Sequence, residues 1–266
     1  MKQDLQSDKM LARRQGPVGH MIFNNPQKHN AVSLEMWDAV DAILDDFERD
    51  EELRVMVVSG AGGKSFVSGA DISKFEKERG SEDAVRHYNE RIKAIYDRVY
   101  SFPKPTIAMI NGYCIGGGLN LAVACDLRFC SAKSKFAMPA ARLALGYPFP
   151  AIKRLTDAVG PAAARHLMFS AERIDAEEAY RLGLVQKILA EEELAAFVAD
   201  YAGKIAANAP LTVKAMKLIS NEVLKDSDKR DLEMCDRLVS ECFASEDYKE
   251  GRRAFLGKRD PRFTGR

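Results

Sequence analysis

The sequence predicts an α/β core followed by a helical region, on three observations. Apolar strand-like runs alternate with amphipathic helical periods through the first two-thirds of the chain. Small, glycine-containing turns follow two of those runs. From about Pro150 onward there are helical periods and no clear strand. The 266 residues suffice for one large domain, or for a domain with a small appendage. The division expected is a core over 1–200 and a helical C-terminal region over 201–266.

Leu11 to Arg14 and Val18 to Phe23 read as the first strands. Ser33 to Arg49 has helical period, with Met36, Val40, Ile43, Leu44 and Phe47 on one face. Ser33 stands where an N-cap hydroxyl is wanted. Val55-Met56-Val57-Val58-Ser59-Gly60 is a short, strongly apolar strand. A charged helix follows from about Glu82 to Tyr100, then a strand at Thr106 to Ile110. A Gly-led helix and a strand at Asp126 to Cys130 complete the alternation. Beyond Pro150, Ala162 to Phe169, Ala176 to Leu182, Glu191 to Ala207, Leu211 to Leu224 and Leu232 to Ala244 are helical.

Composition narrows the function classes. Net charge is +1, so bulk electrostatics point neither to nucleic acid nor to a membrane surface. No apolar run approaches the roughly 20 residues that span a bilayer. Residues 1–10 mix acids and bases around no apolar core, unlike a secretory signal. Cys114, Cys125, Cys130, Cys235 and Cys242 are odd in number and mostly in apolar surroundings. They read as reduced, buried thiols of a cytoplasmic protein. No Cys or His spacing suggests a metal.

Two turns carry chemistry. Asn111-Gly112-Tyr113-Cys114-Ile115-Gly116-Gly117-Gly118 leads from strand to helix. Glycines at a helix start leave backbone N–H groups uncovered, and such donors hold an oxyanion. The same glycines also serve a helix that packs closely on a sheet. Ser65-Phe66-Val67-Ser68-Gly69-Ala70-Asp71-Ile72 again places small residues after a strand. Each turn has one amide to give to the same carbonyl oxygen.

Together these motifs resemble the crotonase, or enoyl-CoA hydratase/isomerase, superfamily. The resemblance begins at Asn25-Pro26-Gln27-Lys28-His29-Asn30-Ala31 and continues through Phe102-Pro103-Lys104-Pro105 and Ala124-Cys125-Asp126-Leu127. It includes Ile174 to Val185 and ends at Glu250 to Arg259. It implies a spiral of ββα repeats with a helical C-terminal region used for trimerisation, as a homotrimer or a dimer of trimers. It implies an acyl-CoA thioester substrate, with coenzyme A entering as part of the substrate and no separate cofactor.

Carried over by motif, the oxyanion donors are the amides of Ala70 and Gly117. Lys28 and Ala31 lie where the family contacts the nucleotide end. Ser68, Asp71, Ile72 and Ser73 line the same loop, and Asp71 equally suits an N-cap. Phe255 and Lys258 sit where a C-terminal helix, often a neighbour's, covers the CoA.

The departures bear most on the reaction. Hydratases of this family use two glutamates to position and activate water. Asn120 stands at the first of those positions and Ala140 at the second, after Phe136-Ala137-Met138-Pro139. An amide takes no proton at neutral pH and alanine has no polar side-chain atom. No Asp or Glu occurs from Phe136 to Thr156. By its offset from Phe136, Tyr147 matches the tyrosine of methylmalonyl-CoA decarboxylase-like members, although their histidine is replaced by Ala70. Tyr147 reads either as a donor or as an aromatic that fills space.

The expectation is therefore a lyase that replaces the glutamates with Asn120 and Tyr147. Its substrate would be a short or branched acyl-CoA, and malonyl-type decarboxylation is one example of its reaction. An atypical enoyl-CoA hydratase and a non-catalytic acyl-CoA-binding subunit are the alternatives. His87, on the charged helix, reads as surface or as a group at the pocket mouth.

Overall fold

The computed structural model describes residues 7–74, 78 and 80–266. Its strands are β1 (Met10–Gln15), β2 (Val18–Phe23), β3 (Val55–Gly60), β4 (Ser65–Val67), β5 (Thr106–Ile110), β6 (Tyr113–Ile115), β7 (Leu127–Ser131), β8 (Lys135–Ala137), β9 (Ile174–Asp175) and β10 (Lys187–Leu189). Its helices are α1 (Leu34–Arg49), α2 (Glu82–Tyr100), α3 (Gly117–Ala124), α4 (Phe149–Ser170), α5 (Ala176–Arg181), α6 (Glu191–Ala206), α7 (Pro210–Val223), α8 (Leu232–Ala244) and α9 (Glu246–Leu256).

Two sheets are wound from consecutive strands. The larger runs β1-β2-β3-β5-β7-β10 and the smaller β4-β6-β8-β9. The chain crosses from one to the other at β3–β4, β5–β6 and β7–β8; a helix returns it after β4 and after β6, while after β8 it runs through α4, β9 and α5 before β10. That is the ββα spiral the resemblance implies. β1 and β2 pair antiparallel, while β2, β3, β5 and β7 pair parallel in order. Parallel strands covered on both faces need continuous apolar runs, and Val55 to Val58 are all fully buried.

Each face of the large sheet has its own core. One packs Met56, Val58, Ala108 and Ile110 against α1, through Met36, Val40, Ile43 and Leu44. The other packs Val55, Val57, Ile107 and Phe129 against Leu194, Val198 and Ala202 of α6. Residue 200, where the sequence divides core from helical region, falls inside α6. The later helices are tied on by Lys217 of α7. Its buried Nζ donates to Asp126 Oδ2 at 2.8 Å and to the Lys104 carbonyl at 3.0 Å. Asp126 also accepts from the Thr106 amide at 2.7 Å.

Four expectations need correction. The region beyond Pro150 contains β9 and β10, two- and three-residue strands too short to show a period. The helix read at Ala162 is the second half of α4, which kinks at Gly160 (φ 77°) before Pro161, a residue with no N–H to give. Ser33 does occupy the N-cap position of α1, but its hydroxyl makes no cap and is buried without a partner. The cysteines Cys114, Cys125 and Cys130 are buried, whereas Cys235 and Cys242 are only half-buried. Burial pushes the Cys125 and Cys130 thiols up to about 12. Among the described residues no disulfide forms and no helix is long and apolar enough to cross a membrane.

Candidate active site

Two glycine contacts bring the turns after β4 and β6 together. Gly69 has φ +101°, a conformation that L side chains avoid. A β-carbon there would lie 3.5 Å from the Gly117 nitrogen and 3.3 Å from the Ile115 carbonyl oxygen. One built on Gly117 would lie 3.6 Å from Gly69 Cα, 4.0 Å from the Ala70 nitrogen and 3.0 Å from the Tyr96 hydroxyl. The amides of Ala70 and Gly117 thus border one small gap. Behind it, Gly118 lets α3 press on β4, since a β-carbon would fall 2.0 Å from the Val67 carbonyl oxygen.

The fold leaves both amides available. Ala70 bridges Val32, but the bonds run from Val32 N to Gly69 O and from Asp71 N to Val32 O, both 2.9 Å. The Ala70 N–H is outside that pair. Gly117 is the first residue of α3, so its N–H has no acceptor in its own helix. Among the described residues neither amide enters a turn or cap bond. Two such amides suit an oxygen that carries developing negative charge.

Asn120 lies one turn into α3, 4% exposed, with its Oδ1 buried and unpartnered. Its amide hydrogen-bonds the Tyr96 phenol. Tyr147 is half-buried, and its hydroxyl is 3.7 Å from where a Gly116 side chain would begin. Pro139 Cδ lies 3.9 Å from that same point, followed by the half-buried Ala140 in a short 3-10 turn. The start of α3 thus has two phenols and an amide beside it.

Tyr96 was not among the residues singled out from sequence. It sits on α2, donates to the Gly117 carbonyl at 2.9 Å and packs edge-on against Trp37 at 5.1 Å between ring centroids. Burial pushes its phenol well above the ordinary value, reinforced by Tyr147 and Tyr88 and opposed by Asn120 and Arg154. No local signal marks it: Tyr88, Ile95, Tyr96 and Val99 form one buried stripe of α2 that reads as core.

A second cluster flanks the gap. Asn25 and Asn30 lock the loop before α1: Asn30 Oδ1 accepts from the Asn25 amide at 2.9 Å, and its Nδ2 donates to the carbonyls of Ser65 and Ala61 at 2.8 and 3.0 Å. This sets Lys28 over Asp71 and Ser73, at 2.9 and 2.7 Å from Nζ. Asp71 also takes the Ser73 hydroxyl at 2.6 Å and the Ser73 amide at 3.2 Å, so it serves both as a local cap and as the lysine's partner. Burial alone would raise Asp71, but the bonds from Ser73 and Lys28 outweigh it and hold the carboxyl below the usual range. Ala31 and Ser68 are half-buried beside this cluster, and Ile72 projects 62% exposed.

Phe255 and Lys258 are not brought to the gap. Phe255, 85% exposed, lines an apolar groove among α7, α8 and α9 with Met216, Phe243 and Phe263. Lys258 follows α9 with φ 48° and is exposed. His87 is exposed on α2, which favours the surface reading. No group of His, Cys, Asp and Glu among the described residues is arranged to hold a metal ion.

Known proteins resemble this chain in sequence and fold. The enoyl-CoA hydratase/isomerase family profile matches residues 13–266. A short-chain-enoyl-CoA hydratase of Clostridium acetobutylicum is 32% identical over 96% of this chain and 97% of its own. A crotonyl-CoA hydratase of Syntrophomonas wolfei is 33% identical over 97% and 99%. A crystal structure described as an enoyl-CoA hydratase/carnithine racemase, from Magnetospirillum magneticum, superposes with a TM-score of 0.91 at 31% identity, covering 98% of this chain and 97% of that one. With matches of this length, the chain belongs to the enoyl-CoA hydratase/isomerase family.

Proposed function

We propose that this protein polarises the carbonyl of an acyl-CoA thioester between the Ala70 and Gly117 amides, and that it releases carbon dioxide from a malonyl-type ester of a short or branched acyl group. The observation that supports this reading is that Asn120 and the phenols of Tyr96 and Tyr147 lie at the α3 start, and by the family resemblance Asn120 and Ala140 stand where hydratases carry their glutamates.

Decarboxylation needs no base. The bond to the carboxylate breaks, its electron pair enters the thioester, and the enolate oxygen is held by the two amides. One oxyanion donor supplies about 2.7–4 kcal/mol of transition-state stabilisation. A site without carboxylates also avoids repelling the substrate's own carboxylate. Tyr147 and Asn120 orient that group as hydrogen-bonding partners. Lys28, with Ala31, Ser68, Asp71, Ile72 and Ser73, receives the nucleotide end, where an ammonium suits phosphate. Phe255 and Lys258 serve a neighbouring subunit's site in a trimer, since they stand away from the gap in their own chain.

Hydration is the second reading, favoured by the names of the relatives. It requires a base other than the glutamate pair. Purified protein incubated with malonyl-, enoyl- and β-ketoacyl-CoA esters, followed by mass, separates the two. Loss of 44 Da (about the mass of CO2) from a malonyl-type ester at enzymic rates, about 1–10³ per second, is the expected result. A gain of water on an enoyl ester at such rates overturns it in favour of hydration. Tight binding with no turnover of any ester makes the chain a binding subunit.

A further inference from the structure

An enolate must be given a proton before product leaves, and neither Asn120 nor Ala140 has one to give. One hydroxyl stands at the gap itself. The Tyr96 oxygen is 3.0 Å from the point where a Gly117 side chain would project, and the Ala70 nitrogen is 4.0 Å from that same point. The hydroxyl therefore borders the space between the two amides on the α2 side. Its ring is held by Trp37, and its resting acceptor is the Gly117 carbonyl at 2.9 Å. Both restraints aim it at the residue that supplies one oxyanion donor.

We propose that Tyr96 is the acid that protonates the α-carbon of the enolate in this site, with its proton restored from solvent on the Tyr147 side. The proposal rests on the enolate reading above and adds the residue that completes it. In the step, the Tyr96 O–H bond breaks and a C–H bond forms at the α-carbon. The enolate electron pair supplies that bond, and the thioester carbonyl re-forms. The phenolate left on Tyr96 is hydrogen-bonded by Asn120 and then takes one proton from water. For decarboxylation the sum is one proton consumed and one carbon dioxide released.

By microscopic reversibility the same oxygen, as phenolate, removes an α-proton from a saturated thioester. Exchange therefore tests Tyr96 without any decarboxylation. Butyryl-CoA in D2O is expected to gain α-deuterium with wild-type protein. The Tyr96→Phe variant is expected to exchange at least about 100-fold more slowly, the scale of a lost general acid–base group. Its affinity for butyryl-CoA, measured by calorimetry, is expected to stay within about threefold, because an exposed Lys28 and backbone amides do the binding. Burial acts most on the phenol's charge, and four groups modify it: Tyr147 before α4 and Tyr88 on α2 disfavour ionisation, while Asn120 on α3 and Arg154 on α4 favour it. Their balance, dominated by burial, keeps it neutral, so wild-type exchange is expected to rise about tenfold per pH unit from pH 7 to 9.

Unchanged exchange in Tyr96→Phe overturns the proposal, as does its absence from wild-type protein. Loss of exchange in Tyr147→Phe with retention in Tyr96→Phe transfers the role to Tyr147. A fall in Tyr96→Phe affinity matching the fall in exchange makes the residue structural and also overturns the proposal. Failure of the decarboxylase reading looks different: malonyl-type esters keep their carbon dioxide while butyryl-CoA still exchanges.

Discussion

The turn at Gly69–Asp71 and the turn at Gly116–Gly118 each bring one amide to the gap, but they are held by different means. The first is tied down from outside, by the Val32 bridge and by the Lys28–Asp71–Ser73 cluster. The second is held by absence of side chains: Gly118 rests against the Val67 carbonyl where no β-carbon fits, and Tyr96 anchors the Gly117 carbonyl. A turn secured by polar side chains can be loosened by degrees. A turn secured by close backbone contact either fits or does not.

Three substitutions test this contrast. Ala70→Pro removes an N–H that the fold leaves unused, so it should cost catalysis far more than folding. Turnover of the preferred ester is expected to fall about 10²–10³-fold, equivalent to about 2.7–4 kcal/mol, with thermal unfolding little changed. A large drop in melting temperature would instead give the Ala70 amide a structural role. Gly118→Ala attacks the close contact. The added carbon meets backbone at 2.0 Å, so α3 must move off β4. An overpacking cost of about 1–3 kcal/mol is expected by denaturant titration, with loss of oxyanion geometry. Wild-type stability in this variant would show that α3 is free to shift.

Lys28→Ala should do least. The lysine is half exposed, so the loss is expected to be under about 1 kcal/mol. Its pH dependence has a definite sign. Asp71 is held below its ordinary value, so its contribution is present above about pH 4, the unfolded carboxylate range, and is lost as pH falls through the lower folded value. The stability gap between wild type and Lys28→Ala should be constant from about pH 5 to 7 and close below about pH 4. Denaturant titrations across that range would show it, and a gap that widens in acid would contradict the Asp71 assignment.

How far the sequence could be read follows the same contrast. β2, β3, β5 and α2 were legible because each is long enough for its period to repeat. The small sheet was not, since β4, β6 and β8 have three residues each and are fixed by pairing with one another. Both glycine turns were visible, because a small-residue run after an apolar strand is a local signal. Tyr96 was hidden because its partner lies 21 residues away, on another element. On its own helix it is one more apolar-stripe aromatic. Neither its spacing nor its neighbours in sequence say where the hydroxyl points.

The second face of the large sheet has a consequence for how the chain is made. Strands β1, β2, β3, β5 and β7 are complete by Ser131, but Val55, Val57, Ile107 and Phe129 pack against α6, which ends at Ala206. On the ribosome, about 75 residues separate the sheet from its cover. At 5–20 residues per second (roughly the pace of synthesis) that interval lasts about 4–15 seconds. For that time the nascent sheet presents a bare aliphatic surface, and a polypeptide stopped before residue 191 keeps it permanently. Prematurely terminated products of this message are thus bound for chaperones or for aggregation, whatever the quality of the active-site half they already contain.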